Sequence, residues 1–283
     1  MFTIKDQEWQ NWLDTNLSKG VSPNDLYKKM RENGFDAETL QQMMGSAYPK
    51  GIETQPIQAN TDIDYQTLSQ VMEARGAALG AQRLNTDIIQ LYTLDNFFTV
   101  AECERVIALT AENLAPSQVS HDDGDKTFRT SMTCHLRKSD DPFVDYIDEK
   151  IARTLGICLP YSEDIQAQRY ALGKELKAHH DYFVKDAPEH YAFTSQKGQR
   201  TWTFMIYLND VAKGGGTHFP YLDYTLYPKQ GQAVIWNNIY PDGLPNRHTL
   251  HQGMPVEEGE KIIITKWFRD QGEGDLFYEQ MTN

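Results

Sequence analysis

The segment QRYALGKELKAHHDYF, residues 168–183, places two histidines and one aspartate in a short run with strand-like composition. Residues i and i+2 of a strand point to the same side, so His179 and Asp181 can bind one metal ion while His180 points away. A third candidate ligand, His251, lies far downstream in TLHQG. Neutral imidazoles with a hard carboxylate suit Fe(II), and three ligands on one face leave coordination positions open for other molecules. The pattern therefore favours a non-haem iron site.

The sequence from about residue 86 onward changes from helical patterns to short strands. Thr99 can cap an amphipathic helix, and a second amphipathic helix, DPFVDYIDEKIARTLG, ends at Gly156. Strand-like runs follow in the order IQAQRYAL, ELKAHHDYF, TWTFMIYLN, QAVIWNN and KIIITKWF, with turns between them. Helices followed by many short strands indicate a mainly β chain of the α+β class, a barrel or sandwich with helices packed on one face.

The N-terminal part has a different texture. Apolar residues recur at helical spacing through the first 45 residues, which predicts three short amphipathic helices. Residues 46–63 hold two prolines among many polar residues, as is typical of a linker, and a helical pattern follows them. We therefore predict a helical module at 1–45, a linker and connecting helix at 46–85, and a main domain at 86–283. The module is interpreted either as a docking unit or as an extension packed on the main domain.

The composition disfavours several classes of function. The chain has 283 residues, and its net charge of −13 argues against binding to nucleic acid or to an anionic membrane surface. Its cysteines, Cys103, Cys134 and Cys158, form no C-x-x-C pair and suit free thiols in a reducing compartment. The sequence shows no signal-peptide pattern and no apolar run long enough to span a membrane. We expect a cytoplasmic protein without a nucleic-acid or membrane partner.

Four blocks of sequence resemble, in order and spacing, the prolyl 4-hydroxylase-like family of Fe(II)/2-oxoglutarate dioxygenases. They are QRYALGKELKAHHDYF (168–183), RTWTFMIYLNDVAKGGGTHFP (200–220), PKQGQAVIWNN (228–238) and TLHQGMPVEEGEKIIITKWFR (249–269). The resemblance extends over roughly residues 90–270 and implies a double-stranded β-helix, or jelly roll, supported by helices. It also implies Fe(II), 2-oxoglutarate and O2 as cofactors, with ascorbate as a candidate addition.

The metal ligands implied by the resemblance are His179, Asp181 and His251. His248 is the rival for the third position, but His251 stands in TLHQG, which is similar to the family's S-L-H-G-G segment, and Lys261 follows it by ten residues. By the same resemblance Lys261 holds the distal carboxylate of 2-oxoglutarate, since a buried dianion needs a fixed cation. An aspartate ligand leaves no coordination position for a halide, so we expect hydroxylation and not halogenation.

Three further residues carried over from the family concern the cosubstrate. The hydroxyls of Tyr170 and Thr203 match positions that help to hold 2-oxoglutarate. Trp267 matches an aromatic residue near that pocket, although core packing is an equally good account of it. The glycines at 214–216 match a family turn and lack the context of a phosphate loop, and His218 after them is interpreted as structural.

Residues on the substrate side match the family less well. Leu176 stands where relatives acting on peptidyl proline often carry a tyrosine, so the resemblance leaves the substrate open while the iron site is unaffected. Residues 185–200 are polar and lie between strands, which fits either a lid over the site or an ordinary surface loop. The candidate substrate residues are Arg129, Tyr182, Phe183 and Trp236.

The expected function is hydroxylation of a prolyl residue in a peptide or protein, with succinate and CO2 as coproducts. The same chemistry on a free amino acid or another small molecule is an alternative. A non-catalytic jelly-roll protein that binds metal or 2-oxoglutarate is another, although the complete ligand set together with Lys261 counts against it. A zinc hydrolase is a further option, for which the sequence supplies no convincing general base. The oligomeric state is left open.

Overall fold

The computed structural model of the chain describes residues 4–33, 35, 37–51, 63–111, 113–117, 129–137, 141–184 and 190–278. Its α-helices, in chain order, are α1 (Ile4–Ser18), α2 (Pro23–Glu32), α3 (Ala37–Met44), α4 (Tyr65–Leu79), α5 (Val100–Thr110), α6 (Pro142–Leu155) and α7 (His190–Thr194). Short 3₁₀ turns lie at Gly45–Ala47, Leu159–Tyr161 and Arg247–Thr249. No helix in the described ranges combines the length and apolar character needed to cross a bilayer.

The strands are short and follow mostly in the second half of the chain. In chain order they are β1 (Gln82–Arg83), β2 (Leu91–Leu94), β3 (Ala115–Pro116), β4 (Met132–Leu136), β5 (Ile165–Tyr170), β6 (Leu176–His179), β7 (Arg200–Tyr207), β8 (Lys213–Gly214), β9 (Thr217–Phe219), β10 (Tyr224–Leu226), β11 (Ala233–Asn237), β12 (His251–Gly253), β13 (Val256–Glu258) and β14 (Lys261–Arg269).

Two antiparallel sheets form the body of the protein. The larger sheet has the strand order β1-β2-β11-β7-β14-β5-β4-β3, and the smaller has the order β10-β9-β12-β6. Strands β8 and β13 form a separate antiparallel pair. Several central neighbours, β2 and β11, β11 and β7, β7 and β14, β14 and β5, and β12 and β6, are distant in sequence, as in a double-stranded β-helix, where the chain winds back and forth between two sheets. The jelly-roll core with supporting helices that the sequence predicts is confirmed.

Strand alternation divides the larger sheet into two faces with different partners. One face, represented by Trp202, Phe204 and Ile264, packs in a single apolar cluster with residues of α4, α5 and α6. The opposite face, represented by Met205 and Trp236, packs against the smaller sheet. Successive side chains of a strand point to opposite faces, and burial of each large one contributes about 1.5–3 kcal/mol. The space between the sheets, called the interior below, is where the candidate site lies.

The helix signals in the sequence are present in the structure. Thr99 accepts a hydrogen bond from Glu102 N, and the Glu102 carboxylate accepts one from Thr99 N, which is a reciprocal capping box at the start of α5. Gly156 ends α6 with a φ of +88°, a left-handed conformation that favours glycine. These caps hold the two helices that cover the larger sheet.

The N-terminal helices α1–α3 have an apolar cluster of their own. It contains Leu13, Leu26, Met30, Phe35, Leu40 and Met44. In contrast, α4 belongs to the main core, where the indole of Trp202 donates to Leu68 O at 2.9 Å. The division at residues 45 and 85 stays a prediction, and residues 52–62 of the linker lie outside the described residues.

Candidate metal and cosubstrate site

The three candidate metal ligands meet at the junction of two paired strands. β12 pairs antiparallel with β6, and this register places His251 directly opposite His179. Asp181 follows β6, with its Oδ1 3.7 Å from His179 Nε2 and its Oδ2 3.9 Å from His251 Nε2. One ligand atom from each residue lies within 4.8 Å of the other two, which is close enough to hold one metal ion. Among the described residues, no other group of three His, Cys, Asp or Glu side chains has its ligand atoms this close together.

Backbone carbonyls orient both imidazoles. His179 Nδ1 donates to Lys177 O at 2.9 Å, and His251 Nδ1 donates to Thr249 O at 2.8 Å. A carbonyl oxygen can only accept, so both Nδ1 atoms carry hydrogen and both Nε2 lone pairs are available for a metal. Burial, together with the neighbouring His251, holds the pKa of His179 well below its usual range, so the ring is neutral. The donor set therefore fits Fe(II), which prefers neutral imidazole and carboxylate ligands.

Two neighbours hold the carboxylate of Asp181. Thr203 Oγ1 donates to Asp181 Oδ2 at 2.7 Å, and Asn238 Nδ2 donates to Thr203 Oγ1 at 2.8 Å. The resemblance assigned the Thr203 hydroxyl to the cosubstrate, but in the structure its hydrogen is committed to Asp181. This contact lets Thr203 orient the ligand carboxylate, and its predicted role toward the cosubstrate stays a prediction. Asn238 completes this arrangement, and no feature of the sequence pointed to it.

The other histidines near the site point elsewhere. His180 Nε2 donates to Arg247 O at 3.0 Å, on the side away from the three ligands, as strand alternation predicts. His248, the rival ligand, lies with its Nδ1 2.9 Å from the Tyr240 hydroxyl and its ring against Tyr221. His218 Nδ1 lies 2.9 Å from Thr225 Oγ1 on the neighbouring strand β10. The structure thus brings together His251, and not His248, with the other two ligands.

Lys261 lies at the start of β14, opposite Tyr170 in register. It is 2% exposed, and its Nζ is 5.3 Å from the centre of the Tyr170 ring and 5.7 Å from that of Tyr207. Burial lowers the pKa of its ammonium group to about 7. No carboxylate in the described part of the chain pairs with this group. A buried ammonium without a counter-ion is costly, so an acidic ligand bound here would be strongly favoured.

Glycines give the Lys261 side chain its room in the interior. A Cβ atom placed on Gly253 would lie 3.6 Å from Lys261 Nζ, and one placed on Gly215 would lie 3.5 Å from Lys261 Cδ. Gly253 stands two residues after His251 on β12, so both face the same side of that strand. The free ammonium and the third candidate ligand therefore share one side of β12, which fits a dianion that spans from the metal to the lysine.

Tyr170 and the two predicted tryptophans line the same interior. Tyr170 is 2% exposed, and its hydroxyl donates to Gln168 Oε1 at 2.6 Å. Trp236 and Trp267 both lie opposite Thr203, on its two neighbouring strands. Each has a buried indole N–H without a hydrogen-bond partner in the described ranges. The ring centre of Trp236 is 4.9 Å from that of His251, and its predicted role as a substrate wall stays a prediction.

An arginine pair behind the ligand aspartate was not found by sequence reasoning. Arg200 binds both carboxylate oxygens of Glu163 at 2.6 and 2.7 Å, and Arg269 binds Glu163 Oε1 at 2.7 Å. Burial opposes ionisation of Glu163, but the two guanidinium groups outweigh it and lower its pKa to about 2. Burial likewise opposes ionisation of Asp181, but the Arg200 guanidinium and the hydrogen bond from Thr203 help to hold its pKa below the usual range. The ligand carboxylate is therefore ionised and ready for a cation.

The predicted substrate residues occupy three different places. Tyr182 is 4% exposed and packs on His180, with ring centres 4.6 Å apart, on the side away from the ligands. Phe183 stacks on Phe193 at 5.3 Å, with a guanidinium over its ring. The backbone of Arg129 forms an isolated antiparallel β-bridge with Leu176, and its guanidinium donates to polar groups of the interior face. Of these side chains, Arg129 and Phe183 are partly buried and suit contact with a substrate, while Tyr182 is enclosed.

The polar surface around Arg129 extends the interior toward β4 and β5. Arg129 donates to Gln166 Oε1 at 2.7 Å, to Ser131 Oγ at 3.2 Å and to Thr133 Oγ1 at 3.3 Å. Burial lowers the pKa of its guanidinium, with Tyr170 and Asp181 acting in the opposite direction. Leu176, the departure from the family pattern, is 9% exposed and packs with Tyr170 in the interior cluster.

The segment predicted as a lid is only partly described, because residues 185–189 lie outside the described residues. Its second half forms α7 and a turn that is tied to the larger sheet. Arg269 donates to Gly198 O at 2.6 Å, and Lys197 Nζ donates to Ser162 O at 2.6 Å. A Cβ atom on Gly198 would lie 1.7 Å from Asp270 Oδ1, so this turn needs glycine. The lid itself stays a prediction.

The chain is similar to known proteins in sequence profile, in sequence and in structure. The profile of the 2OG-Fe(II) oxygenase superfamily matches residues 165–269, a range that contains the three candidate ligands and Lys261. A probable prolyl 4-hydroxylase 9 of Arabidopsis thaliana is 32% identical over 198 residues, 62% of this chain and 67% of that protein. Prolyl 4-hydroxylase 13 of the same plant is 32% identical over 201 residues, 64% of this chain and 72% of that protein.

A solved structure shows the same fold at comparable coverage. The viral collagen prolyl hydroxylase of Paramecium Bursaria Chlorella virus-1, in a complex with 2OG, superposes with a TM-score of 0.51 and 26% identity. The match covers 64% of this chain and 96% of the viral protein. The chain spans about two thirds of the length of the plant relatives that it matches.

Proposed function

This chain belongs to the prolyl 4-hydroxylase family of 2OG-Fe(II) oxygenases, and we propose that it hydroxylates a prolyl residue in a peptide or protein. It is an Fe(II)- and 2-oxoglutarate-dependent dioxygenase, with succinate and CO2 as the coproducts of that chemistry. The observation that carries the 2-oxoglutarate part of the proposal is the buried, unpaired Lys261 ammonium on the same side of β12 as the candidate ligand His251, and the prolyl substrate rests on the relatives.

We assign the metal to His179, Asp181 and His251. When bound, Fe(II) and 2-oxoglutarate supply the activation of dioxygen and the oxidising power, which no side chain of the protein provides. The protein supplies the geometry. The Lys177 and Thr249 carbonyls fix both imidazoles, and Thr203 fixes the carboxylate, so the ligand atoms are held in place before the metal arrives.

We assign the distal carboxylate of 2-oxoglutarate to Lys261, with Tyr170 beside it. The Lys261 ammonium is desolvated in the free protein, and pairing with a carboxylate would restore its usual pKa. The apolar walls provided by Tyr207, Leu176 and Ile263 keep water out of this part of the interior. The lysine therefore selects an acidic cosubstrate and holds it in one orientation.

Arg200 places a positive charge close to the ligand Asp181. Its guanidinium lies 3.9 Å from the centre of the Trp267 ring, and Nη1 is 3.4 Å from Asp181 O. Since Glu163 holds it from behind, Arg200 remains fixed and favours the ionised form of Asp181. This keeps the ligand carboxylate unprotonated at neutral pH.

For the substrate, we propose that the prolyl ring approaches between Phe183 and Arg129. The support is the family membership together with the partial exposure of these two side chains, while Tyr182 and Trp236 are enclosed by other residues. Leu176 provides an apolar surface beside Arg129 where relatives often carry a tyrosine.

The proposal is tested with purified protein, Fe(II), 2-oxoglutarate and air. Proline-containing peptides, among them (Pro-Pro-Gly) repeats, and free proline are compared by mass spectrometry for the gain of one oxygen atom, with succinate measured in parallel. We expect peptide hydroxylation by the wild type and by His218→Ala, and none by Asp181→Ala. Turnover of free proline alone would favour the small-molecule alternative. Binding of 2-oxoglutarate without turnover of any substrate would favour a non-catalytic binding protein.

Three expectations stay predictions of ours. A stimulation by ascorbate, a cytoplasmic location and the lack of a nucleic-acid partner all rest on composition or on the resemblance. In the structure Cys103 and Cys134 are buried and Cys158 is partly buried, all three as free thiols.

A further inference from the structure

A buried ion pair joins the N-terminal helices to the jelly roll. Asp6 of α1 is fully buried, and its carboxylate is bound by the Arg247 guanidinium. The same guanidinium lies over the rings of Phe35, at 4.9 Å, and Tyr221, at 5.6 Å. Phe35 belongs to the apolar cluster of the N-terminal helices and Tyr221 to the loop after β9. Arg247 is thus held from both sides, by charge and by aromatic contact.

Arg247 is part of a tight turn whose own hydrogen bonds leave it little freedom. Asn246 caps the 3₁₀ turn Arg247–Thr249 by accepting from His248 N at 3.0 Å, and Thr249 Oγ1 donates to Asn246 O at 2.8 Å. Asn246 Nδ2 also donates to Ile88 O at 2.9 Å. We call residues 246–249 the ligand turn, because its carbonyls accept hydrogen bonds from histidines at the candidate metal site.

The ligand turn contacts both segments that carry the candidate metal ligands. The carbonyl of Arg247 accepts from His180 Nε2 at 3.0 Å, and His180 stands between His179 and Asp181. The carbonyl of Thr249 accepts from His251 Nδ1 at 2.8 Å. A displacement of this one turn would therefore move the segment that bears two ligands and rotate the imidazole of the third.

We propose that Asp6 is a positioning residue of the metal site, which acts through Arg247 and the ligand turn. The N-terminal helices then form part of the catalytic apparatus, and not only a docking unit or a packed extension. A buried charge pair is directional, since it fixes the guanidinium and with it the Arg247 backbone, whereas apolar packing alone would not. This inference rests on the proposed metal site at His179, Asp181 and His251.

The first test measures metal binding without turnover. Mn(II) affinity is measured by calorimetry, and the visible spectrum of the Co(II) form reports the ligand geometry of the site. Asp6→Asn keeps the shape of the side chain and removes its charge. We expect it to weaken Mn(II) binding by about tenfold, as substitutions of residues behind metal ligands typically do, and to change the Co(II) spectrum. Asp14→Asn, an exposed position on the same helix, is the matched control and should leave both unchanged.

A double-mutant cycle tests the route through Arg247. If Asp6 acts through this residue, Asp6→Asn combined with Arg247→Gln should weaken Mn(II) binding no more than Arg247→Gln alone. Arg247→Lys serves as a second variant should Asp6→Asn not fold. It keeps the positive charge but loses the planar contact with Phe35 and Tyr221, so we expect a smaller loss of affinity than for Arg247→Gln.

Unfolding temperatures of the metal-free proteins separate positioning from general damage. A folded Asp6→Asn protein with wild-type Mn(II) affinity and Co(II) spectrum would overturn the inference, whatever its unfolding temperature. Additive effects in the cycle would overturn the route through Arg247. If the wild type itself bound neither Mn(II) nor Co(II), the proposed metal site would be wrong, and the inference would fail with it. That result differs from one in which the wild type binds metal and the Asp6 variant binds it equally well, because the second result would leave the metal site intact.

Discussion

Two buried lysines on the same strand, Lys261 and Lys266, have opposite electrostatic surroundings. They are 2% and 1% exposed, and strand alternation sends the first into the interior and the second toward the helices. Lys266 Nζ lies 2.5 Å from Asp148 Oδ1 of α6 and donates to Glu163 O at 2.8 Å. Lys261 has no such carboxylate in the described part of the chain. Both are desolvated, yet only one is neutralised within the fold.

From these different surroundings we infer a structural role for the charge of Lys266 and a binding role for that of Lys261. Burial lowers the pKa of both ammonium groups, and for Lys266 the Asp148 carboxylate opposes that effect. Lys266 therefore ties α6 to the larger sheet, and its charge is already satisfied. At Lys261 no carboxylate among the described residues offsets the cost of desolvation, which leaves the ammonium group available to a ligand of opposite charge. We therefore predict that the helix-facing side of β14 contributes to stability and that its interior side binds the cosubstrate.

The largest expected effect comes from Lys261→Met. Loss of a charge-assisted contact costs about 3 kcal/mol, which corresponds to roughly 100-fold weaker 2-oxoglutarate binding. The unfolding free energy of the free protein should stay constant or rise, because an unpaired buried charge is removed. Calorimetric titration with 2-oxoglutarate and chemical denaturation measure the two quantities. A clear loss of stability would place Lys261 with Lys266 as a structural residue.

Lys266→Met should give the reverse result. It leaves the Asp148 carboxylate without its partner, and we expect a loss of about 2 kcal/mol in unfolding free energy, less than a fully buried pair would lose because Asp148 is partly exposed. The affinity for 2-oxoglutarate should not change. Denaturation and the same titration are the measurements, and a large change in affinity would contradict the division between the two faces of β14.

The affinity for 2-oxoglutarate and the stability of the free protein should both depend on pH through Lys261. Burial lowers the pKa of Lys261 from 10.5 to about 7, and the carboxylate of 2-oxoglutarate requires the ammonium form. Affinity should therefore be full below pH 7 and fall about tenfold per pH unit above it. Stability of the free protein should move in the opposite direction. The unfolded chain binds one more proton between the two pKa values, so the unfolding free energy rises with pH across that window.

Lys261→Arg is the control for this pH dependence. Arginine remains charged throughout the range, so any 2-oxoglutarate binding that the variant retains should be independent of pH between about 6 and 9. Calorimetry in buffers of different ionisation enthalpy would also show proton uptake on binding by the wild type above pH 7. An affinity of the wild type that is flat across this range would contradict the unpaired state of Lys261.

The smallest expected effect concerns Thr203→Val. The change keeps the shape of the side chain but leaves Asp181 Oδ2 and Asn238 Nδ2 without the hydroxyl between them. We expect about tenfold weaker Mn(II) binding and little change in 2-oxoglutarate affinity once metal is saturating. Thr265→Val, a buried interior position that contacts Gln168 and no metal ligand, is the control. If Thr203→Val weakened only 2-oxoglutarate binding, the hydroxyl would belong to the cosubstrate after all.

Much of this site could be anticipated from local sequence. The His-x-Asp spacing places His179 and Asp181 on one side of a strand whatever the rest of the fold does. The resemblance selected His251 over His248, and the pairing of β12 with β6 agrees with that choice. Thr203 was recognised as a residue of the site, but its partner was not, because the direction of a hydroxyl proton depends on neighbours from other strands.

The groups that sequence reasoning missed come from distant segments. Glu163 lies outside the four family-like blocks, and its contact with Arg200 and Arg269 exists only because β7 and β14 are neighbours. Asp6 lies still farther away and reaches Arg247 through the packing of a separate group of helices. No periodicity or spacing in the chain encodes such a contact.

Local sequence predicted the class of fold, the candidate metal ligands and the chemistry of the cosubstrate. These predictions follow from local spacing and from matched blocks, which depend on strand alternation and on ligand preference. Which charges are satisfied depends instead on how distant segments pack. Lys261 and Lys266 look alike in KIIITKWF, and their different roles arise because one faces a carboxylate of α6 and the other faces an interior that offers none among the described residues.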